Sequence, residues 1–307
     1  MSSIALGIDL GGTKIEIIAL DADGQERLRR RIPTPRGSYE ATIEAMGQLV
    51  EDAERELGCR GSLGIGHPGA ISPATGLIKN SNSVWLNGKR FDVDVQERLQ
   101  RRIAFENDAN CLALSEATDG AGAGRNVVFS VILGTGVGGA IVAHGQIITG
   151  VNAVGGEWGH NPLPWPADDE RPGPDCYCGQ KGCLETWLSG VGLAADHQRR
   201  FGGELLSADI VRLGEAGNAD ALSSLERYED RLARALATVI NLLDPDVIVL
   251  GGGMSNIGRL YEAIPARWGR YTFSDHVATD LCKSAHGDSS GVRGAAWLGR
   301  DMERQQG

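Results

Sequence analysis

The sequence predicts an α/β protein built from two related domains. The chain has 307 residues, more than one ordinary hydrophobic core serves and about right for two. One theme also occurs twice, about 120 residues apart: an apolar strand, a Gly/Thr turn, a second apolar strand and a glycine-bearing turn.

The elements follow in order. IALGIDL (4–10) is an apolar run suited to a buried strand, LGGTK is a tight turn, IEIIAL (15–20) is a second strand, and DADGQ (21–25) signals a hairpin. Residues 39–58 carry helical spacing through Ile43, Met46, Leu49, Val50, Ala53 and Leu57, closed by Gly58. LGIGHPGAI (63–71) reads as a strand and a glycine-rich loop. Residues 91–102 read as an amphipathic helix, and IAFENDANC (103–111) as a strand ending in a polar turn, with a helix over Ala109–Thr118. DGAGAGRN (119–126) is a hinge signal, after which VVFSVILGTGVGGAIVAHGQI repeats the opening theme. The Pro- and Asp-rich stretch 161–175 is a loop, 219–243 a long helix, DPDVIVLGGGMS (244–255) a turn, buried strand and glycine loop, and 291–304 a final helix.

Apolar residues make up 41%, enough for real cores, and the net charge of -10 speaks against a nucleic-acid partner. The cluster Arg27, Arg29, Arg30 and Arg31 reads as a solvated strand edge. The opening MSSIALGIDLGG has no basic n-region, and no apolar run approaches the ~20 residues of a membrane span, so the expectation is a soluble, cytoplasmic protein with no membrane partner. Of six cysteines, three fall within eight residues, which in a reducing compartment argues for metal binding rather than disulfides.

Several segments carry chemistry. In GIDLGGTK, Asp9 ends a strand before Gly11, Gly12, Thr13 and Lys14. The glycines let backbone N–H groups approach phosphate oxygens, and Asp9 is a candidate Mg²⁺ ligand; a bare hairpin turn is the competing reading. GTGVGG (134–139) contains a formal GxGxxG, but a strand follows where a dinucleotide fold needs a helix, so a second phosphate hairpin fits better. GGGMSN (251–256) suits close approach by a flat nucleotide or is a plain strand-to-helix turn. Asn107 and Asp108 end a strand; Asp108 is either a base for an attacking hydroxyl or a helix N-cap. His160 with Cys176, Cys178 and Cys183 forms a Cys₃His set, the residue types of a closed structural zinc site, which would staple the proline-rich loop and hold Glu157 and Glu185 over one pocket.

Together DLGGTK (9–14), ENDAN (106–110), LGTGVGG (133–139), GGEWGH (155–160), CYCGQKGCLE (176–185) and LGGGMS (250–255) resemble the ROK family of sugar kinases and sugar-responsive repressors, nearly end to end. NSNSVWLNG (80–88), EWGHNPLPW (157–165) and HGDSSGVRGAAWL (286–298) look closest to its bacterial fructokinase (manno-fructokinase) branch. The resemblance implies an actin-like ATPase (ribonuclease H-like) fold with two domains around a cleft: residues 1–118 with 289–307 as the smaller, and 119–288 as the larger with a zinc-stapled loop. It implies ATP as co-substrate, Mg²⁺, a structural Zn²⁺ and a homodimer. Carried over, Asp108 matches the catalytic base, and Gly69, Asn82, Asn107, Asp108, Glu157, His160 and Glu185 the sugar contacts. Gly11, Gly12, Thr13, Lys14, Gly134, Thr135 and Gly136 match the phosphate loops, Gly252 and Gly253 the adenosine side, and His160, Cys176, Cys178 and Cys183 the zinc set. With the first strand beginning near Ile4, the repressors' helix-turn-helix is not expected in this chain. The activity implied is phosphorylation of a hexose by ATP, with fructose first and mannose, glucose, N-acetylglucosamine or N-acetylmannosamine as alternatives. A non-catalytic sugar sensor is the rival of another class.

Overall fold

The structure, a computed structural model, describes residues 4–304. In chain order the strands are β1 (Ala5–Leu10), β2 (Lys14–Leu20), β3 (Glu26–Pro33), β4 (Ser62–His67), β5 (Ala70–Ile71), β6 (Ile78–Lys79), β7 (Ala104–Asn107), β8 (Val127–Leu133), β9 (Val137–Ala143), β10 (Gln146–Ile147), β11 (Val247–Gly251) and β12 (Asp280–Lys283). The helices are α1 (Tyr39–Leu57), α2 (Phe91–Leu99), α3 (Asp108–Asp119), α4 (Glu185–Leu188), α5 (Gly190–Phe201), α6 (Ser207–Glu215), α7 (Ala219–Leu243), α8 (Leu260–Ala263), α9 (Pro265–Trp268) and α10 (Ser290–Arg304).

The repeated theme becomes a repeated topology. One sheet runs β3-β2-β1-β4-β7 and the other β10-β9-β8-β11-β12. In the first, the hairpin strands pair antiparallel, and β4 and β7 join in parallel. In the second, β11 and β12 likewise join β8 in parallel order.

The chain forms two compact units: Met1–Gly124 with Ile141–Gly155 and Asp288–Gly307, and Arg125–Ala140 with Gly156–Gly287. The segment Ile141–Gly155, expected in the second domain, groups with the first because β10 packs against α3 and Thr149 hydrogen-bonds to Glu106 at the end of β7. Residues 1–3 and 305–307, which the expected division also assigns to the first domain, lie outside the described residues.

In the first unit the period-2 alternation of β1 and β2 sorts their side chains onto two faces. Leu6, Ile8, Leu10, Ile15, Ile17 and Ala19 bury one face with Met46 and Val50 of α1 and Phe91 and Val95 of α2. The other face takes Ile18, Leu20, Leu114 of α3 and Val292, Ala296 and Trp297 of α10. Each such Leu or Ile contributes about 1.5–3 kcal/mol by leaving water. α10 approaches the sheet and α3 backbone to backbone: a Cβ on Gly7 or Gly64 would strike carbonyls of α10, and one on Gly294 would strike the carbonyl of Cys111. Ser38 caps α1 by accepting from the Ala41 N–H at 3.3 Å, and Gly58 ends it in the left-handed region.

In the second unit β11 is buried along its whole length, and α7 supplies a long apolar face including Leu225, Tyr228, Leu232 and Leu236. α7 also carries Arg231 and Arg234 into the interior. Arg231 Nε donates to Glu170 at 2.8 Å and its Nη1 to Asp196 at 2.7 Å, while Arg234 Nη1 donates to the carbonyls of Pro164 and Trp165. This network ties the proline-rich loop to α5 and α7, and no apolar pattern announces it.

Candidate active site

In the first unit, Asp9 sits at the end of β1 and the Gly11–Lys14 turn follows. The Gly11 N–H donates to the Lys14 carbonyl at 3.0 Å, and Thr34 clamps the turn from β3's end by donating its hydroxyl to the Gly11 carbonyl at 2.7 Å. Asp9 stands directly across the ladder from Glu16. Dense packing around Asp9, then the Asp108 and Glu16 carboxylates, raise its carboxyl to about 7. Glu16 is fully buried and drawn to Arg29, to Arg31 Nε at 2.7 Å and to Lys14 Nζ at 3.7 Å. The arginine cluster is therefore not merely a solvated edge: two of its members neutralise a buried carboxylate behind the candidate phosphate turn, because like charges facing each other across strands are unfavourable. The carboxylates Asp9 and Asp108 are a donor set whose repulsion a divalent cation would relieve.

β7 ends on Asn107, the N-cap of α3, whose side chain accepts from the Ala109 N–H at 2.9 Å and donates to the Gly69 carbonyl at 2.9 Å. Asp108 is the first helical residue, and its Oδ1 also accepts from Ala109 N–H, at 2.8 Å. The cap expected of Asp108 thus belongs to Asn107, and Asp108 sits in the first turn. Gly69 has φ +77, and a Cβ there would run into the Lys79–Ser81 backbone. Asn82 is exposed on the following loop, which Asn87 pins by two 2.9 Å bonds to the Ser81 backbone.

In the second unit, the Gly134–Gly136 turn joins β8 to β9. A strand does follow this GxGxxG, as the phosphate-hairpin reading requires. Glu185 Oε2 accepts from the Val137 N–H at 3.0 Å, so this carboxylate braces the turn, and a Cβ on Gly136 would push it aside. Gly134 and Thr135 line a cavity of about 710 Å³ with Gly253. Val191 and Ala194 of α5, Leu206 just before α6, Val211 of α6, and Met254, Asn256 and Ile257 also line it. It is a mostly apolar slot with hydroxyl and amide groups at its edges, a shape suited to a flat heteroaromatic ring. Gly252, at φ +80, lets the third glycine loop lie against the Leu133 backbone. The α5 and α6 residues were missed from sequence, since small and aliphatic residues at helix starts carry no distinguishing signal.

Glu157 precedes the short turn Trp158–His160. His160, Cys176, Cys178 and Cys183 converge, with their ligand atoms all within 4.8 Å of one another. Cys176 Sγ lies 3.6 Å from His160 Nδ1, and Cys178 Sγ 3.6 Å from Cys183 Sγ. A tetrahedral ion with Zn–S near 2.3 Å and Zn–N near 2.0–2.1 Å sets such separations at about 3.6 Å for S–N and about 3.8 Å for S–S. The donor set fits. Burial, then the neighbouring thiols, push Cys183 up to about 12, while Cys178, receiving the Gln180 N–H, is lowered; a bound dication would draw all three to thiolate. His160 Nε2 lies 3.0 Å from the Tyr177 hydroxyl, leaving Nδ1 on the cysteine side.

A model of the ROK family matches residues 5–302. The chain is 39% identical over 296 residues to an N-acetyl-D-glucosamine kinase of Escherichia coli O1:K1, covering 95% of this chain and 98% of that one. Among solved structures it is similar to a ROK hexokinase from Thermus thermophilus, with TM-score 0.87 and 32% identity over 99% of this chain and 100% of the other. It is also similar to a ROK glucokinase from Streptomyces griseus in complex with glucose and AMPPNP, with TM-score 0.76 and 26% identity over 97% and 100%. The chain belongs to the ROK family, as a sugar kinase with the actin-like ATPase fold. No helix among the described residues is long and apolar enough to cross a membrane.

Proposed function

We propose that this protein transfers the γ-phosphate of MgATP to a primary hydroxyl of a free hexose, with Asp108 as general base, and that D-fructose, giving fructose 6-phosphate, is its preferred acceptor. The observation that carries the mechanism is Asp108 in the first turn of α3, beside an Asn107 anchored to Gly69. There the first turn of the helix fixes the carboxylate, one oxygen of which accepts from the Ala109 N–H. A placed base contributes typically ~10²–10⁴-fold. Alignment of the hydroxyl and neutralisation of phosphate charge by the glycine turns supply most of the rest. Mg²⁺, held on the Asp9 side, would neutralise charge on the nucleotide phosphates. Asn107, Gly69 and Asn82 are assigned to the sugar together with Glu157, His160 and Glu185. The Gly11–Lys14 and Gly134–Gly136 turns are assigned to phosphate, and the 710 Å³ slot with Gly252 and Gly253 to adenosine. The Cys₃His set is assigned a structural zinc that holds His160 in place.

Fructose is favoured by the fructokinase-like phrases at 80–88, 157–165 and 286–298. N-acetylglucosamine is the second reading, favoured by the 39% identity to a kinase of that sugar. Measuring ADP release from MgATP with fructose, mannose, glucose, N-acetylglucosamine and N-acetylmannosamine separates them. The highest kcat/KM is expected for fructose, and a preference for N-acetylglucosamine would overturn the fructose assignment. Asp108→Asn is expected to lower kcat by at least ~10²-fold; near-normal turnover would end the general-base assignment.

A further inference from the structure

Glu106 stands two residues before Asp108 and has no place in the mechanism above, yet its carboxylate gathers donors from three places. Oε1 accepts from the backbone N–H of Asn107 at 2.8 Å and from Asn110 Nδ2 at 2.9 Å. Oε2 accepts from the hydroxyl of Thr149 at 3.0 Å. Asn107 and Asn110 bracket Asp108 at the start of α3, and Asn110 is itself buried. Thr149 lies on the segment that runs to Gly155, whose N–H donates to the Thr149 carbonyl at 2.9 Å. Glu157 and His160 follow directly along the chain. One carboxylate therefore grips the turn that aims Asp108 and the root of the loop that leads to the assigned sugar contacts.

We infer that Glu106 is a positioning residue for the phosphoryl transfer, holding Asp108 and the root of the sugar-contact loop in register through these three hydrogen bonds; this rests on the assignment of Asp108 as base. The role needs the reach and acceptors of the side chain rather than its charge. A glutamine serves it: its oxygen keeps both bonds at α3, and its amide nitrogen donates to the Thr149 hydroxyl. An alanine loses all three, and misplacement of a reacting group by about 1 Å costs on the order of 10²-fold in rate.

The test uses the full chain with fructose and MgATP, and with N-acetylglucosamine should that sugar prove the better acceptor. Glu106→Ala is expected to lower kcat at least tenfold with KM for ATP within about twofold, and Glu106→Gln to stay within about threefold of the parent. In an Asp108→Asn background Glu106→Ala is expected to cost less than about threefold, because the group it positions is already gone. A residue that only supports the fold would lower activity equally in both backgrounds, and that result overturns the proposal. So do an unchanged kcat in Glu106→Ala and a glutamine variant as impaired as the alanine one. Should Glu106→Ala fail to fold, Glu106→Asp, too short to reach Asn110 and Thr149 together, takes its place with the same expectations. The two assignments fail separately. An active Asp108→Asn removes the base, whereas an inactive Asp108→Asn beside a fully active Glu106→Ala removes the positioning role alone.

Discussion

Replacing Arg231 with methionine is expected to destabilise the protein by about 3–5 kcal/mol at neutral pH, the usual loss when one partner of a buried ion pair is removed. Arg231 is 1% exposed, donates to Glu170 at 2.8 Å and to both oxygens of Asp196 at 2.7 and 3.2 Å, and stacks its guanidinium 4.4 Å from the Trp187 ring centroid. Methionine keeps the apolar stem but leaves two interior carboxylates short of partners. Three charge-assisted bonds at ~1.5–3 kcal/mol each would total more. The loss is held down because Arg227 and Arg199 still face Asp196, and Arg234 still faces Glu170. The pH dependence has a definite sign. Burial alone would raise both carboxyls, but Arg231, with Arg227 on Asp196 and Arg234 on Glu170, outweighs it and both are lowered. A depressed folded-state pKa gives stability that is complete above the ordinary carboxylate range and lost as pH falls through the folded value. The gap between parent and variant in denaturant midpoint should thus be widest near pH 7 and narrow in acid. Proteolysis should cut the 161–175 loop first in the variant. A loss below about 1 kcal/mol, or a gap that widens in acid, would refute the claim that this network holds the loop.

Three further outcomes are expected. Gly294→Ala should lower the thermal midpoint, with about 1–3 kcal/mol of overpacking, because the new methyl meets the Cys111 carbonyl rather than a side chain that can turn away. Leu206→Ala, in the 710 Å³ slot assigned to adenosine, should raise KM for ATP about fivefold, with sugar KM unchanged in steady-state assays. Metal analysis should find about one zinc per chain, and a strong chelator should expose residues 157–185 to protease before the rest of the chain; an active, stable, metal-free protein would contradict the zinc assignment.

Much was legible from local pattern. The α1 expectation, capped by Gly58, and the long helix at 219–243 match the structure to within a residue, since helix period and caps are written in neighbouring positions. The repeated strand-turn-strand theme, read as two related domains, recurs as two five-stranded sheets with matching strand order. The Cys₃His cluster stood out because residue type and spacing narrow what it can do, whereas Asp108 stayed open between base and helix cap until the family resemblance was weighed.

Local pattern gave the inventory: the strands and helices with clear period or caps, the glycine turns, the Cys₃His cluster and the family resemblance. Tertiary structure alone decided the partnerships. Glu16 reads as one more polar residue on a strand until cross-strand register sets it against Asp9 and beside Arg31. Arg231 and Arg234 look like ordinary charges on a helix until that helix carries them inside to meet Glu170, over sixty positions earlier in the chain. Thr149 gains a role only when its segment leaves its sequence neighbours to reach Glu106. The physical reason is common to all three. Periodicity and capping are set by residues a few positions apart, whereas a buried charge or a hydrogen bond depends on which distant backbone the fold brings within about 3 Å.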